Sequence, residues 1–192
     1  IVTEVSRTDR TKRKDLLIEA FARVARKRPE AILAVTIDRA AGELYRELTA
    51  LIGERGLTGR IAVLGSIWEQ LPSLYGHTDL YCTPSIMEGF GMSIQEAAAC
   101  GVPAVASSRV PFGVEYLLGA EPEPRGSEES RFELGRAAAV VPADRLAPLA
   151  EAMELLLTDS ELRRRMGEAA YQITIPRFTW DRVTRSFLTE SG

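Results

Sequence analysis

Two stretches of the sequence hold residues whose types and spacing could do chemistry. The first is Arg7-Thr-Asp-Arg-Thr-Lys12-Arg-Lys14, five basic residues against one acidic one. A β-branched run over residues 1–6 precedes it and a helical pattern follows, so the cations stand in a turn between strand and helix. Such a turn brings side-chain cations and helix N–H groups to one point, which suits a diphosphate. On spacing alone, a solvated basic loop fits equally well. The second stretch is Pro84-Ser-Ile-Met-Glu88-Gly-Phe-Gly91-Met-Ser-Ile-Gln-Glu96. Gly89 and Gly91 permit a tight backbone path with φ > 0 just before a helix that opens near Met92. That path turns several N–H groups outward, toward an anion or a hydroxyl oxygen. Glu88 stands in the turn and Glu96 about one helical turn inside, so both can face one crevice. Carboxylates beside a phosphate cradle make sense when the ligand also carries vicinal hydroxyls, because a carboxylate accepts two hydroxyl hydrogen bonds. A nucleotide sugar offers such pairs on its ribose and its hexose. Capping and surface charge would explain an isolated Glu-x-Gly but not the whole run.

The elements around these stretches must hold them in place, and strand and helix signals alternate along the chain. Residues 14–28 carry Leu16, Leu17, Ala20, Phe21 and Val24 at helical spacing, with Arg26, Lys27 and Arg28 at the end and Pro29 closing the helix. Residues 31–37 form a short apolar run suited to a buried strand. Leu44, Leu48, Leu51 and Ile52 mark the next helix, ended near Gly53 and Gly56. The pattern continues as strand 60–64, helix 68–76, strand 79–83, helix 92–100 and strand 103–107. Residues 119–136, rich in Glu, Pro, Gly, Ser and Arg, read as a solvated loop. One more strand follows at 137–141, then amphipathic helices at 144–157 and 159–172, the second capped by Asp159. A last helix puts Trp180, Val183 and Phe187 on one face. This alternation predicts an α/β fold: a doubly wound, Rossmann-like parallel sheet with helices on both faces and a helical C-terminal tail over about residues 144–190. Such sheets bind ligands beyond the carboxyl ends of their strands, and both chemical stretches fall there.

Composition narrows the setting. The 192 residues, 45% hydrophobic and 27% charged, fit one ordinary domain with one sizeable core. A net charge of -3 gives no global basic field to draw in nucleic acid. No apolar run approaches the ~20 residues of a membrane span, and no signal peptide opens the chain, so a cytoplasmic location is expected. Cys82 and Cys100 lie in apolar sequence without metal-ligand spacing and read as buried reduced thiols, with a disulfide as the alternative. Neither a metal nor a cofactor is expected. The chain opens in a strand with no initiator Met and reads as part of something longer.

The run Glu88-x7-Glu96 within PSIMEGFGMSIQEAAACGVPAVAS resembles the signature of the family 4 glycosyltransferases, which have the two-domain GT-B fold. The stretch from Ser6 to Phe21 is similar to that family's phosphate-binding strand, loop and helix. Val63-Leu-Gly65, Leu71-Pro-Ser-Leu-Tyr75 with Asp79, Pro103-Ala-Val-Ala-Ser107 and Phe178-Thr-Trp-Asp-Arg-Val183 agree in order, so the resemblance covers nearly the whole chain. It implies that residues 1–192 are the C-terminal half of a GT-B enzyme, which binds the nucleotide-sugar donor. The partner would be the N-terminal acceptor domain of the same full-length chain, absent here, and the chain alone would be inactive.

The resemblance also assigns roles. Arg7 and Lys12 would hold the diphosphate and stabilise charge as the nucleotide leaves. Glu88 would contact the donor hexose and Glu96 the ribose hydroxyls. The backbone of Gly89, Phe90, Gly91 and Met92 would bind sugar hydroxyls and phosphate, and the backbone at Ile67 would read the base. Arg7, Lys12 and Glu88 are thus the candidate catalytic residues of a retaining transfer. Front-face attack, with the leaving phosphate receiving the acceptor proton, would replace the carboxylate pair of glycosidases. The early Ser-Arg-x-Asp and Arg109-Val-Pro-Phe-Gly-Val-Glu-Tyr-Leu-Leu-Gly119 resemble the sucrose-phosphate synthase and sucrose synthase-like branch. That branch includes enzymes that transfer hexose to fructose 6-phosphate, and the implied donor is a UDP- or GDP-linked glucose or mannose. Residues 109–113 depart from the Gly-Gly-Pro-type turn of many relatives, and the loop over 120–136 is longer than most relatives need.

Other conspicuous residues read as structural. His77, the sole histidine, falls between helix and strand on the edge away from the ligand. Arg163-Arg-Arg165 reads as a solvated helix face, and Trp68 and Trp180 as packing residues. Two other functions compete with hexosyl transfer. A non-catalytic nucleotide-sugar-sensing or assembly module would bind without turnover. A GT-B epimerase or phosphorylase would need other signature residues. A phosphorylase would also need a lysine for pyridoxal phosphate, and Lys12, Lys14 and Lys27, the only lysines, all lie in the first loop and its helix.

Overall fold

The short apolar runs become a sheet. The computed structural model describes residues 1–65 and 67–190, and side chains only to residue 185, so the expected place of Phe187 on the last helix lies outside the described residues. In chain order the strands are β1 (Val2–Glu4), β2 (Leu33–Thr36), β3 (Ile61–Leu64), β4 (Leu80–Thr83), β5 (Ala104–Ser107), β6 (Glu123–Arg125), β7 (Phe132–Leu134) and β8 (Ala138–Val141). Their spatial order is β3-β2-β1-β4-β5-β8-β7-β6. From β3 to β8 every neighbour is parallel; β7 and β6 add an antiparallel hairpin at the far edge. Buried on both faces, β2, β4, β5 and β8 need no polar alternation, which is why they read as continuous apolar runs.

Helices cover both faces. They are α1 (Lys14–Lys27), α2 (Glu43–Glu54), α3 (Leu71–Gly76), α4 (Met92–Ala99), α5 (Leu146–Thr158), α6 (Ser160–Phe178) and α7 (Trp180–Glu190). On one face Leu17, Phe21, Leu48, Leu149 and Met153 pack against Leu33, Val35, Leu80 and Val105. On the other, Tyr75, Ile94, Ala97 and Ala170 pack against Tyr81, Ala104 and Ala106. Neighbouring strand residues such as Leu80 and Tyr81 thus feed opposite cores, as the two-residue strand period requires. Each large apolar side chain so enclosed contributes roughly 1.5–3 kcal/mol. Gly167 lets α6 close on the turn after α4, because a Cβ there would lie 2.3 Å from the Gly101 carbonyl oxygen.

Several expectations are corrected. Residues 119–136 are not all solvated loop: they carry β6 and β7, with Phe132 and Leu134 buried and Glu133 exposed between them. The helix expected over 68–76 is a 3-10 turn, Trp68–Gln70, followed by α3. Trp68 and Trp180 do not pack inside; they are 75% and 86% exposed. Cys82 is buried but Cys100 is exposed, and both are free thiols. Of the three arginines at 163–165, Arg163 is half-buried and caps α5, donating to the Leu156 and Leu157 carbonyls at 2.8 and 3.3 Å. No described helix is long and apolar enough to cross a membrane.

Candidate nucleotide-sugar site

The strand order reverses between β1 and β4: from β1 the chain winds outward through β2 and β3, then returns to place β4 and β5 on the other side. The loops leaving the carboxyl ends of β1 and β4 therefore lead to helices on opposite faces of the sheet, α1 and α4, and the crevice where they diverge is the topological switch point. The loop over 5–13 and the loop over 84–91 are the two chemical stretches of the sequence. They are tied together. The Ile86 N–H donates to the Thr11 carbonyl at 2.8 Å, and Lys12 Nζ donates to Glu88 Oε1 at 2.6 Å. This ion pair is nearly enclosed, its side chains 8% and 17% exposed. Ser85 adds a hydroxyl donor to the same Glu88 oxygen at 3.1 Å, and Ser107 on β5 donates to the Ser85 carbonyl.

The first loop is wound by its own side chains. Asp9 accepts from the Thr11 N–H at 2.9 Å and from the Thr11 hydroxyl, an Asx turn that starts the 3-10 turn Arg10–Lys12. Burial pushes the Asp9 carboxyl up, but the Thr11 bonds and the Lys12 and Arg7 charges outweigh it and hold the carboxyl below its usual value. Arg13 then takes a left-handed conformation (φ 49°) and α1 begins. The five cations of this stretch separate. Arg10 pairs with Glu47 at 2.9 Å, Arg13 with Asp15 and Asp144, and Lys14 turns inward to Glu4. Lys12 faces the crevice against Glu88, while Arg7 is 86% exposed, with Asp9 at 3.9 Å.

The second loop uses its glycines unequally. Gly91 has φ +101° and stands so close to Ile94, Val110 and Phe112 that a Cβ would meet Ile94 at 2.9 Å. Gly89, expected to share the left-handed conformation, lies outside it, and a Cβ there would meet nothing within 4 Å. Its backbone is therefore open to close approach. The Phe90 carbonyl is occupied by the Phe112 N–H at 2.8 Å, and its ring joins Phe112, Tyr116 and Phe178 in an aromatic cluster. Met92, the first residue of α4, is exposed.

Glu96 is half-buried on α4 and accepts a hydrogen bond from the Tyr75 hydroxyl at 3.3 Å. Burial raises its carboxyl above the usual value, with Tyr75 pulling back part of the shift. Ile67 precedes the 3-10 turn after β3 and its carbonyl accepts from the Gln70 N–H at 3.0 Å. His77 lies at the opposite edge, capping α3, with Nδ1 2.8 Å from the Ser73 carbonyl. Tyr75, Asp9, Ser85 and Ser107 had no site role assigned from the sequence, although all four stand in stretches that carry the family resemblance. Only Asp9, two residues before a Thr, carried a local signal, that of an Asx turn. Among the described residues no group of three His, Cys, Asp or Glu side chains is placed to hold a metal ion.

Comparison with known proteins gives this edge a context. Residues 1–173 match the family model described as Glycosyl transferases group 1, and the chain belongs to that family. It is 31% identical over 180 residues to an alpha-D-kanosaminyltransferase of Streptomyces kanamyceticus, an alignment covering 93% of this chain and 42% of that protein. A sucrose-phosphate synthase structure from Thermosynechococcus elongatus superposes with a TM-score of 0.77 at 26% identity, covering 99% of this chain and 44% of that one. The structure of Anabaena HepE in complex with UDP and glucose superposes at 0.81 with 22% identity, covering 98% and 47%. The fold is that of GT-B glycosyltransferases. The chain spans less than half the length of these proteins.

Proposed function

We propose that this chain is the donor-binding half of a retaining hexosyltransferase, moving glucose or mannose from a UDP- or GDP-sugar to an acceptor, a sugar phosphate such as fructose 6-phosphate. The observation that carries the reading is the Lys12–Glu88 pair, which bridges the two loops at the switch point of the sheet. An ammonium has three donors and spends one on Glu88, so two remain for diphosphate oxygens. Arg7, exposed and 3.9 Å from Asp9, supplies a second cation. Together they offset the charge that grows as the sugar–phosphate bond breaks, a stabilisation specific to the transition state. Glu88, held by Lys12 and Ser85, has an oxygen left for hexose hydroxyls. The backbone at Gly89 lets the sugar approach, and Glu96 takes the ribose diol.

The retaining course is front-face: the acceptor hydroxyl attacks from the side the nucleotide leaves, and the leaving phosphate oxygen takes the proton. No general-base carboxylate is needed, which suits a Glu88 already committed to Lys12. Residues 1–192 act as one domain in this reading. The acceptor is read by a preceding half of the protein, with the site enclosed when the two close. The location is cytoplasmic, and neither metal nor cofactor is required, since Arg7 and Lys12 carry the charge. Resemblance to a sucrose-phosphate synthase supports the sugar-phosphate acceptor.

The test is incubation of the full-length protein with UDP-glucose or GDP-mannose and fructose 6-phosphate, with the product's anomeric proton followed by NMR. An α-linked disaccharide phosphate is the expected product. A β-linked product would overturn the retaining course, and binding of donor without turnover on a panel of sugar and inositol phosphates would favour a sensing module.

A further inference from the structure

Glu4, the last residue of β1, and Lys14, the first of α1, form an ion pair with side chains 2% and 1% exposed. It lies outside every role assigned above. One Glu4 oxygen accepts from Lys14 Nζ and the other from the Ser6 hydroxyl. Lys14 Nζ also reaches Ser6 Oγ at 3.0 Å, the Ser6 carbonyl at 3.3 Å and Thr36 Oγ1 at 3.4 Å. Thr36 completes the network, accepting from the Ser6 N–H at 3.0 Å and donating to the Ser6 carbonyl at 2.8 Å. Ser6 is thus held through its N–H, its carbonyl and its hydroxyl at once.

Burying two charges is expensive, and an apolar pair of equal volume would join strand to helix as well or better. Stability alone gives no reason for ions here. What the pair adds is direction. Ser6 immediately precedes Arg7, and Lys14 follows Lys12 by two residues, with the left-handed Arg13 between them. That backbone turn sends Lys12 up to Glu88 and Lys14 down to Glu4. Both ends of the loop are consequently pinned to one buried point.

We infer that Glu4 and Lys14 are positioning residues: their pair closes the base of the 7–13 loop and sets where Arg7 and Lys12 present charge to the donor diphosphate. The ligand named here rests on the nucleotide-sugar reading above; the effect on the loop does not.

The test compares the full-length protein with its Glu4→Gln/Lys14→Met variant, which keeps volume and leaves no orphan charge. Two readouts are taken where both proteins are folded by circular dichroism. Amide hydrogen exchange is measured at Lys12 and Arg13, bonded to Asp9 and Arg10, and at Phe21 and Val24 within α1. UDP, GDP and ADP are titrated beside their nucleosides. Expected are faster exchange at Lys12 and Arg13 with α1 unchanged, and about tenfold weaker diphosphate binding with nucleoside binding unchanged, equivalent to about 1.4 kcal/mol. A folded variant with wild-type loop exchange and wild-type affinity would overturn the proposal. Should the wild type bind no nucleotide, the nucleotide-sugar reading falls, and loop exchange alone decides the role of the pair. If the double variant does not fold, Glu4→Gln, which retains an acceptor for Lys14, undergoes the same comparison.

Discussion

Replacing Lys12 with Met removes the donor 2.6 Å from Glu88 and leaves that carboxylate, 17% exposed, with the Ser85 hydroxyl at 3.1 Å. A charge orphaned in a fully buried pair costs about 3–5 kcal/mol. Glu88 keeps some water and one hydroxyl, so about 2–3 kcal/mol is expected. Glu88→Gln strands Lys12, 8% exposed, at a similar cost. The double variant strands neither and is expected to lose only about 1 kcal/mol, against about 4–6 kcal/mol if the single costs simply added, which gives a coupling energy of about 3–5 kcal/mol. Urea unfolding of the four proteins, followed by circular dichroism at neutral pH, measures it. Because the pair is enclosed, the coupling should persist in raised salt. Single costs that simply add, within about 0.5 kcal/mol, would refute the view that this contact ties the two loops. So would a coupling that salt abolishes.

Other outcomes follow from the same loop and from α4. Gly91→Ala forces a side chain into φ +101° and against Ile94 at 2.9 Å, so thermal melting should show a loss of about 1–3 kcal/mol. Gly89→Ala meets nothing within 4 Å and should leave stability within about 0.5 kcal/mol while weakening donor binding; unchanged donor affinity would remove Gly89 from the site. Glu96 gives a pH dependence. Burial raises its carboxyl in the folded chain, so the folded state binds that proton more readily than the unfolded state, and stability falls as pH climbs from the ordinary carboxylate range through the raised value. Glu96→Gln should therefore be the more stable protein at neutral pH, the gain fading to nothing below pH about 4, where both side chains are neutral. A gain independent of pH, or none, would sink this reading of Glu96.

Much of the scaffold was legible because β2, β4, β5 and β8 are largely apolar runs between amphipathic helices, and that pattern has few alternatives. The hairpin was not. Phe132-Glu133-Leu134 does alternate as a strand should, but three residues among Gly, Ser, Pro and charges make a weak signal, and pairing with β8 supplies the rest. At the site, the sequence located the two loops but could not sort their cations. Lys14 and Lys12 look alike in a basic run; what separates them is Glu4, ten residues away, and the left-handed turn at Arg13. A charged residue inside the run Val2-Thr-Glu-Val5 was the available clue that a buried counter-ion was needed. The tryptophans misled because size favours burial, whereas Trp68 sits in a surface 3-10 turn and Trp180 opens a helix whose first turns are exposed. Tyr75 was silent since its link to Glu96 joins α3 to α4 across 21 residues.

The most direct test of a nucleotide-sugar site at the β1/β4 edge is calorimetric titration of the full-length protein with UDP, GDP and ADP, repeated on Lys12→Ala and Glu96→Ala. Preference for one nucleotide is expected, with affinity about tenfold weaker or worse in each variant. A folded protein that binds none of the three, or one whose binding ignores both substitutions, would contradict the assignment.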